Sequence, residues 1–127
     1  MRNPVLKKRP HSRPSARSAR MIDERVRRAL VQLKRSLRQT YGDRFRGLYL
    51  YGSYARGDAR ADSDVDTVIA LQGPTDSFAE MNRMSKTLSD ICLKYDLLIA
   101  TYPITESWLQ ERRSPLFENI RREAVRI

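Results

Sequence analysis

Gly52-Ser53 closes one short alternating segment, and ten residues later Asp64-Val65-Asp66 opens another. No other stretch of the chain narrows its fold as much. Gly47-Leu48-Tyr49-Leu50-Tyr51 alternates as a strand does and runs directly into the Gly-Ser turn, while residues 64–71 read as a second strand. Period 2 puts Asp64, Asp66, Val68 and Ala70 on one face of that strand, and Val65, Thr67, Ile69 and Leu71 on the other. The two carboxylates therefore stand side by side, about 7 Å apart along the chain. Arg56, Gly57, Asp58 and Arg60 lie in the loop between the strands.

Two anions held that close and partly buried require a counter-charge, and a hard divalent cation supplies it. Magnesium keeps several waters and takes its other ligands from one or two carboxylates and from substrate phosphates, so this pair would recruit a nucleoside triphosphate. Gly52 lets a phosphate approach the backbone, and the Ser53 hydroxyl can hydrogen-bond a phosphate oxygen. A short helix starting near Tyr54 would add free N–H groups to that anion site. Asp96, read as lying on a third strand over 95–101, is placed to complete the metal set or to help deprotonate an attacking hydroxyl. Asp-x-Asp alone is more often a solvated strand end. Two such acids opening an apolar strand, with a third opening another, are hard to explain by packing.

Helical periodicity accounts for the rest. A helix is expected at about 21–40, with Ile22, Val26, Ala29, Leu30, Leu33 and Leu37 on its apolar stripe, Asp23 and Glu24 in its first turn and Gly42 as its stop. A second, at about 76–93, has Phe78, Met81, Met84, Leu88 and Ile91 spaced for a core face, with methionine as core filler. Beyond Pro103, Thr105 with Glu106 is expected to cap a short helix through Trp108 and Leu109, and Ser114-Pro115 to open another.

At 127 residues there is room for one core and none for an acceptor-binding domain beside it. Cys92 is the only cysteine and His11 the only histidine, which removes intrachain disulfides, Cys/His zinc sites and imidazole-dependent hydrolases. The formal charge of +10 suggests nucleic acid until its distribution is examined: residues 1–20 hold seven of the basic residues and no acid. The rest of the chain carries 18 basic against 15 acidic residues. With three prolines, three serines and little to bury, residues 1–19 read as a disordered basic tail ahead of a domain over 20–127. The tail is either a solvated extension or a loose contact for nucleic acid or an acidic surface. No apolar run approaches a membrane span and no signal core follows the basic N-terminus, so the chain reads as cytoplasmic.

Gly52-Ser53-Tyr54-Ala55-Arg56-Gly57 through Ser63-Asp64-Val65-Asp66 resembles the signature of the minimal nucleotidyltransferases, within the DNA polymerase β-like superfamily, and the resemblance runs over residues 25–127. It implies an α+β fold, a small mixed sheet of about four strands flanked by helices. It also implies Gly52 and Ser53 on the triphosphate, Asp64 and Asp66 on magnesium and Asp96 as the third acid. Arg56 would either contact phosphate or brace the loop. Thr67 stands where the family usually has an apolar residue. Such proteins resemble the antitoxin half of a pair whose other half is a HEPN-domain ribonuclease toxin, and the implied activity is transfer of AMP from ATP to a toxin tyrosine. That fits a domain without an acceptor site of its own. Two other readings remain: a non-catalytic antitoxin that masks its toxin by binding, and nucleotidyl transfer to a small molecule such as an aminoglycoside.

Overall fold

The computed structural model describes residues 23–127, so the basic tail, Met21 and Ile22 lie outside the described residues. Helix α1 (Glu24–Tyr41) starts where the Asp23 carboxylate accepts the Arg25 amide at 2.7 Å, satisfying one of the N–H groups left open at a helix start. It buries Val26, Ala29, Leu30, Leu33 and Leu37 along one stripe and stops at Gly42, which holds a φ of 55°. A 3-10 turn (Gly42–Arg44) leads into β1 (Phe45–Tyr51), and the one-turn helix α2 (Ser53–Arg56) follows. Then come β2 (Val65–Leu71), α3 (Ser77–Tyr95), β3 (Ile99–Thr105), α4 (Trp108–Glu111), α5 (Pro115–Glu123) and β4 (Val125–Arg126).

The sheet order is β3-β2-β1-β4, with β1 antiparallel to β2 and β4, and β2 parallel to β3. One face packs on α1 and α3: Leu48, Leu50, Val65, Ile69, Leu71 and Ile99 meet Leu30, Leu33, Met84 and Ile91 there. The other face packs on α4 and α5 through Tyr49, Val68, Ala70, Ile104, Leu109, Phe117 and Ile120. The mixed α+β sheet expected from the sequence is what the chain forms, and both faces of β2 divide as its alternation predicts. Thr67 faces α1 and α3, buried, its hydroxyl donating to the Ala100 carbonyl at 2.9 Å.

Three expectations need correction. Phe78 and Met81 are not core residues: Phe78 is 73% exposed, and Glu80, Met84 and Ile91 take the buried stripe with Leu88 beside them. The helix is rotated so that Glu80 is covered yet fully engaged, accepting from the Tyr41 hydroxyl at 2.6 Å and the Arg83 guanidinium at 3.0 Å, with Arg44 at 3.8 Å. Burial and this carboxylate push the Tyr41 phenol well above its ordinary range. Tyr41→Phe removes one of those donors, and a loss of about 1–2 kcal/mol in urea unfolding is expected.

Second, the third strand lies at 99–105 rather than 95–101, because α3 runs on to Tyr95 and the chain reverses through Asp96, in a left-handed conformation at φ 54°. Third, Thr105 ends β3 rather than capping a helix, and α4 begins after Ser107. Ser114 and Pro115 do open α5, the Ser114 side chain accepting from the Phe117 amide.

The outer edge of β3 is blunted. Pro103 offers no N–H, its carbonyl accepts the Ser77 hydroxyl at 2.6 Å, and the Ile99 amide donates to the Cys92 sulfur at 3.4 Å.

Candidate active site

The β1-β2-β3 register sets the site. Asp66 has Tyr51 as its partner on β1 and Ala100 on β3, all on the face that carries α4 and α5. Asp64 precedes β2 on the same side, exposed, delivered by a tight turn in which the Ser63 hydroxyl accepts the Arg60 amide at 2.7 Å and the Ser63 amide donates to the Arg60 carbonyl at 3.0 Å.

The glycine turn lies against Asp66. Gly52 adopts a φ of 78°, a region that residues with a Cβ avoid, and a Cβ there would sit 2.6 Å from Asp66 Oδ2. Its requirement for glycine is thus both conformational and steric. The Gly52 amide donates to Glu123 Oε1 at 3.0 Å, and Arg56 Nη1 donates to the same oxygen at 3.1 Å. Arg56 Nε also donates to Asp58 Oδ2 at 3.3 Å. Of the two roles open to Arg56, bracing is the one these bonds display.

Glu123 is the functional residue that the sequence reading missed. It ends α5, is buried, and joins the turn after β1 to the C-terminal helix. Its partners lie 67 and 71 residues away, so no local motif reveals them. The available signal was helical phase: Phe117, Ile120 and Glu123 recur every three residues on one stripe, which puts a carboxylate where an apolar side chain would ordinarily pack.

Negative charge dominates. Burial, then the neighbouring Asp64, pushes the Asp66 carboxyl up; Arg56 pulls it down and Glu123 adds to the rise. The Tyr51 phenol is likewise raised, by burial first and then by Asp66, Tyr102 and Glu123. A site that penalises the charged form of Asp66 in this way is suited to a bound cation.

Gly52, Ser53, Arg56, Asp64 and Asp66 come together; Asp96 does not join them. It caps α3 with its side chain in solvent, its carbonyl accepting from Arg25 Nη1 at 3.3 Å and its carboxylate 3.9 Å from the same nitrogen. The strand position beside Asp66 belongs instead to Ala100, and among the described residues no three His, Cys, Asp or Glu side chains converge on a metal position. Because Asp96 occupies a left-handed C-cap, Asp96→Gly is expected to raise stability by about 0.5–1 kcal/mol in urea unfolding.

Residues 30–122 match the family described as nucleotidyltransferase domain. The Methanocaldococcus jannaschii protein called "Putative protein adenylyltransferase" is 36% identical over 72 residues, spanning 56% of this chain and 71% of that one. A crystal structure of a toxin-antitoxin with AMP-PNP superposes with a TM-score of 0.53 at 15% identity, over 78% of this chain and 69% of that one. At that identity the likeness speaks for the fold alone. Among the described residues, no helix is long and apolar enough to cross a membrane.

Proposed function

The chain belongs to the nucleotidyltransferase domain family, and on that premise we propose that it transfers AMP from ATP to a tyrosine hydroxyl of a partner HEPN-domain toxin, so acting as its antitoxin, with magnesium held by Asp64 and Asp66. The observation that carries this reading is the Asp66 carboxylate pressed against the Gly52 turn with Asp64 as its neighbouring charge. The donor set fits the metal: two hard oxygen ligands, one half-buried, whose mutual repulsion a divalent cation relieves. When bound, magnesium neutralises charge on the phosphates and on the departing pyrophosphate.

The chain's own groups do the rest by position. Gly52 keeps its backbone close enough for the turn to lie on Asp66, and Glu123 with Arg56 fixes that turn. Ser53, at the start of α2, brings a hydroxyl to the phosphate oxygens. Transfer forms a bond between the tyrosine oxygen and the α-phosphorus and breaks the bridge from that phosphorus to the β-phosphate. The electron pair leaves with pyrophosphate, and the phenolic proton passes to solvent.

A protein acceptor is supported by the name of the M. jannaschii relative and by the fold's likeness to a toxin-antitoxin with an ATP analogue. Intact-mass spectrometry of the co-expressed toxin tests the reading. Additions in AMP-sized steps are expected with the wild-type chain and magnesium. A toxin that stays bound and inactive yet unmodified would replace catalysis by masking.

A further inference from the structure

A row of side chains on β3 flanks the carboxylates and has no part in holding the metal or the triphosphate. Alternation places Leu98, Ala100 and Tyr102 on the face that carries Asp64, Asp66 and Val68, since Ile99 packs with α1 and α3 and the Thr101 hydroxyl reaches the Met84 sulfur. Strand pairing continues back to Leu98, whose carbonyl accepts the Val65 amide at 2.9 Å. The cover given by α4 and α5 reaches Tyr102, whose ring lies 6.1 Å from that of Phe117, and goes no further. Ala100 is exposed and Leu98 is 63% exposed, both beside the pair.

The other flank of Asp66 is filled. Tyr51 is half-buried there, the Gly52 turn presses on Oδ2, and Glu123 closes behind it. A triphosphate lying on the Gly52-Ser53 turn leaves the β3 side for the second substrate. We propose that Leu98 and Ala100 form the acceptor side of the site, an apolar strip across which a partner's hydroxyl-bearing segment lies to reach the α-phosphorus. This deepens the function proposed above and rests on it.

The chemistry of the strip selects its occupant. It carries no charged side chain in a chain of formal charge +10, so it gives no basic contact to a nucleic acid backbone. It adds no carboxylate to grip a polycationic aminoglycoside. An exposed leucine and a methyl beside an open edge of the site match an apolar or aromatic peptide segment, and the small Ala100 side chain leaves room beside Asp66 for the incoming oxygen.

The test compares Ala100→Trp, which fills the strip, and Leu98→Asp, which adds a like charge to the carboxylates, with the wild type; circular dichroism melting confirms that each variant folds, and Leu98→Ser stands in for either that does not. Magnesium-dependent binding of a fluorescent trinitrophenyl ATP reports the nucleotide side, and intact mass of the partner toxin reports transfer. Each variant is expected to lose at least about 10-fold in kcat/KM for the toxin, with the nucleotide Kd within about twofold of wild type. Wild-type transfer matched by both variants would overturn the strip and leave the proposed function standing. Parallel loss of nucleotide binding would overturn it too, by placing the strip on the triphosphate side. Absence of wild-type transfer would overturn the proposed function and the strip with it.

Discussion

Replacing Asp64 and Asp66 together by alanine is expected to lower AMP transfer by at least about 10³-fold while leaving the chain folded. The rate falls because the two carboxylates brought together on the open face are removed, and Glu123, already committed to Gly52 and Arg56, does not substitute for them. The fold survives because neither side chain is part of the packed core. Stability moves the other way. The Asp66 pKa is raised on folding, so this residue's contribution favours the folded state below its unfolded pKa and is lost as pH rises through the folded one. At neutral pH the ionised Asp66 therefore costs the fold something, and Asp66→Asn is expected to melt higher than wild type in a chelator. Magnesium should raise the wild-type Tm and leave that of the variant unmoved; the opposite order would show that the pair does not hold the metal.

Gly52→Ala is expected to be nearly as damaging from a single added methyl. The new Cβ would lie 2.6 Å from Asp66 Oδ2, too close for any real contact, and φ at this position is 78°. Holding a residue with a Cβ at this positive φ costs about 1–3 kcal/mol, visible as a lower urea midpoint. The collision cannot be relieved without moving either the carboxylate or the turn. A displacement of about 1 Å in a group that positions reacting atoms costs on the order of 10²-fold in rate, so a loss of that order in kcat/KM is expected. A variant that melted lower yet transferred at the wild-type rate would show that the approach of turn and carboxylate is structural only. Gly73 is the useful control: it too has positive φ, at 81°, and a Cβ there would meet nothing within 4 Å, so Gly73→Ala should carry the stability penalty without a collision.

Much of this was legible because local pattern and tertiary structure agree where the motif lies. Asp66 lies on the face of β2 that alternation assigned it, with Val68 and Ala70, and α1 buries Val26, Ala29, Leu30, Leu33 and Leu37 as their spacing required. The third acid was misread because Tyr95-Asp96-Leu97-Leu98-Ile99-Ala100-Thr101 is one mostly apolar run, and composition cannot say where helix hands over to strand. A left-handed Asp96 makes the handover, shifting the strand by four residues and bringing Ala100, not the acid, beside Asp66. Phe78 and Met81 were misplaced for a related reason. Glu80 is acceptable inside only because Tyr41, Arg83 and Arg44 come to meet it, and two of those three come from outside its own helix.

Glu123 has a consequence for how the molecule comes into being. The turn that follows β1 is secured by a carboxylate made more than sixty residues later, and β4 then completes the sheet beside β1 through Leu50 and Val125. On the ribosome, β1, the turn and both aspartates emerge first and wait unsecured. A nascent chain stalled before α5 would have every motif residue and no anchored turn, so competence for nucleotide should appear abruptly, as α5 and β4 dock. Arrest at successive lengths, read by nucleotide retention on the stalled chain, would trace that step.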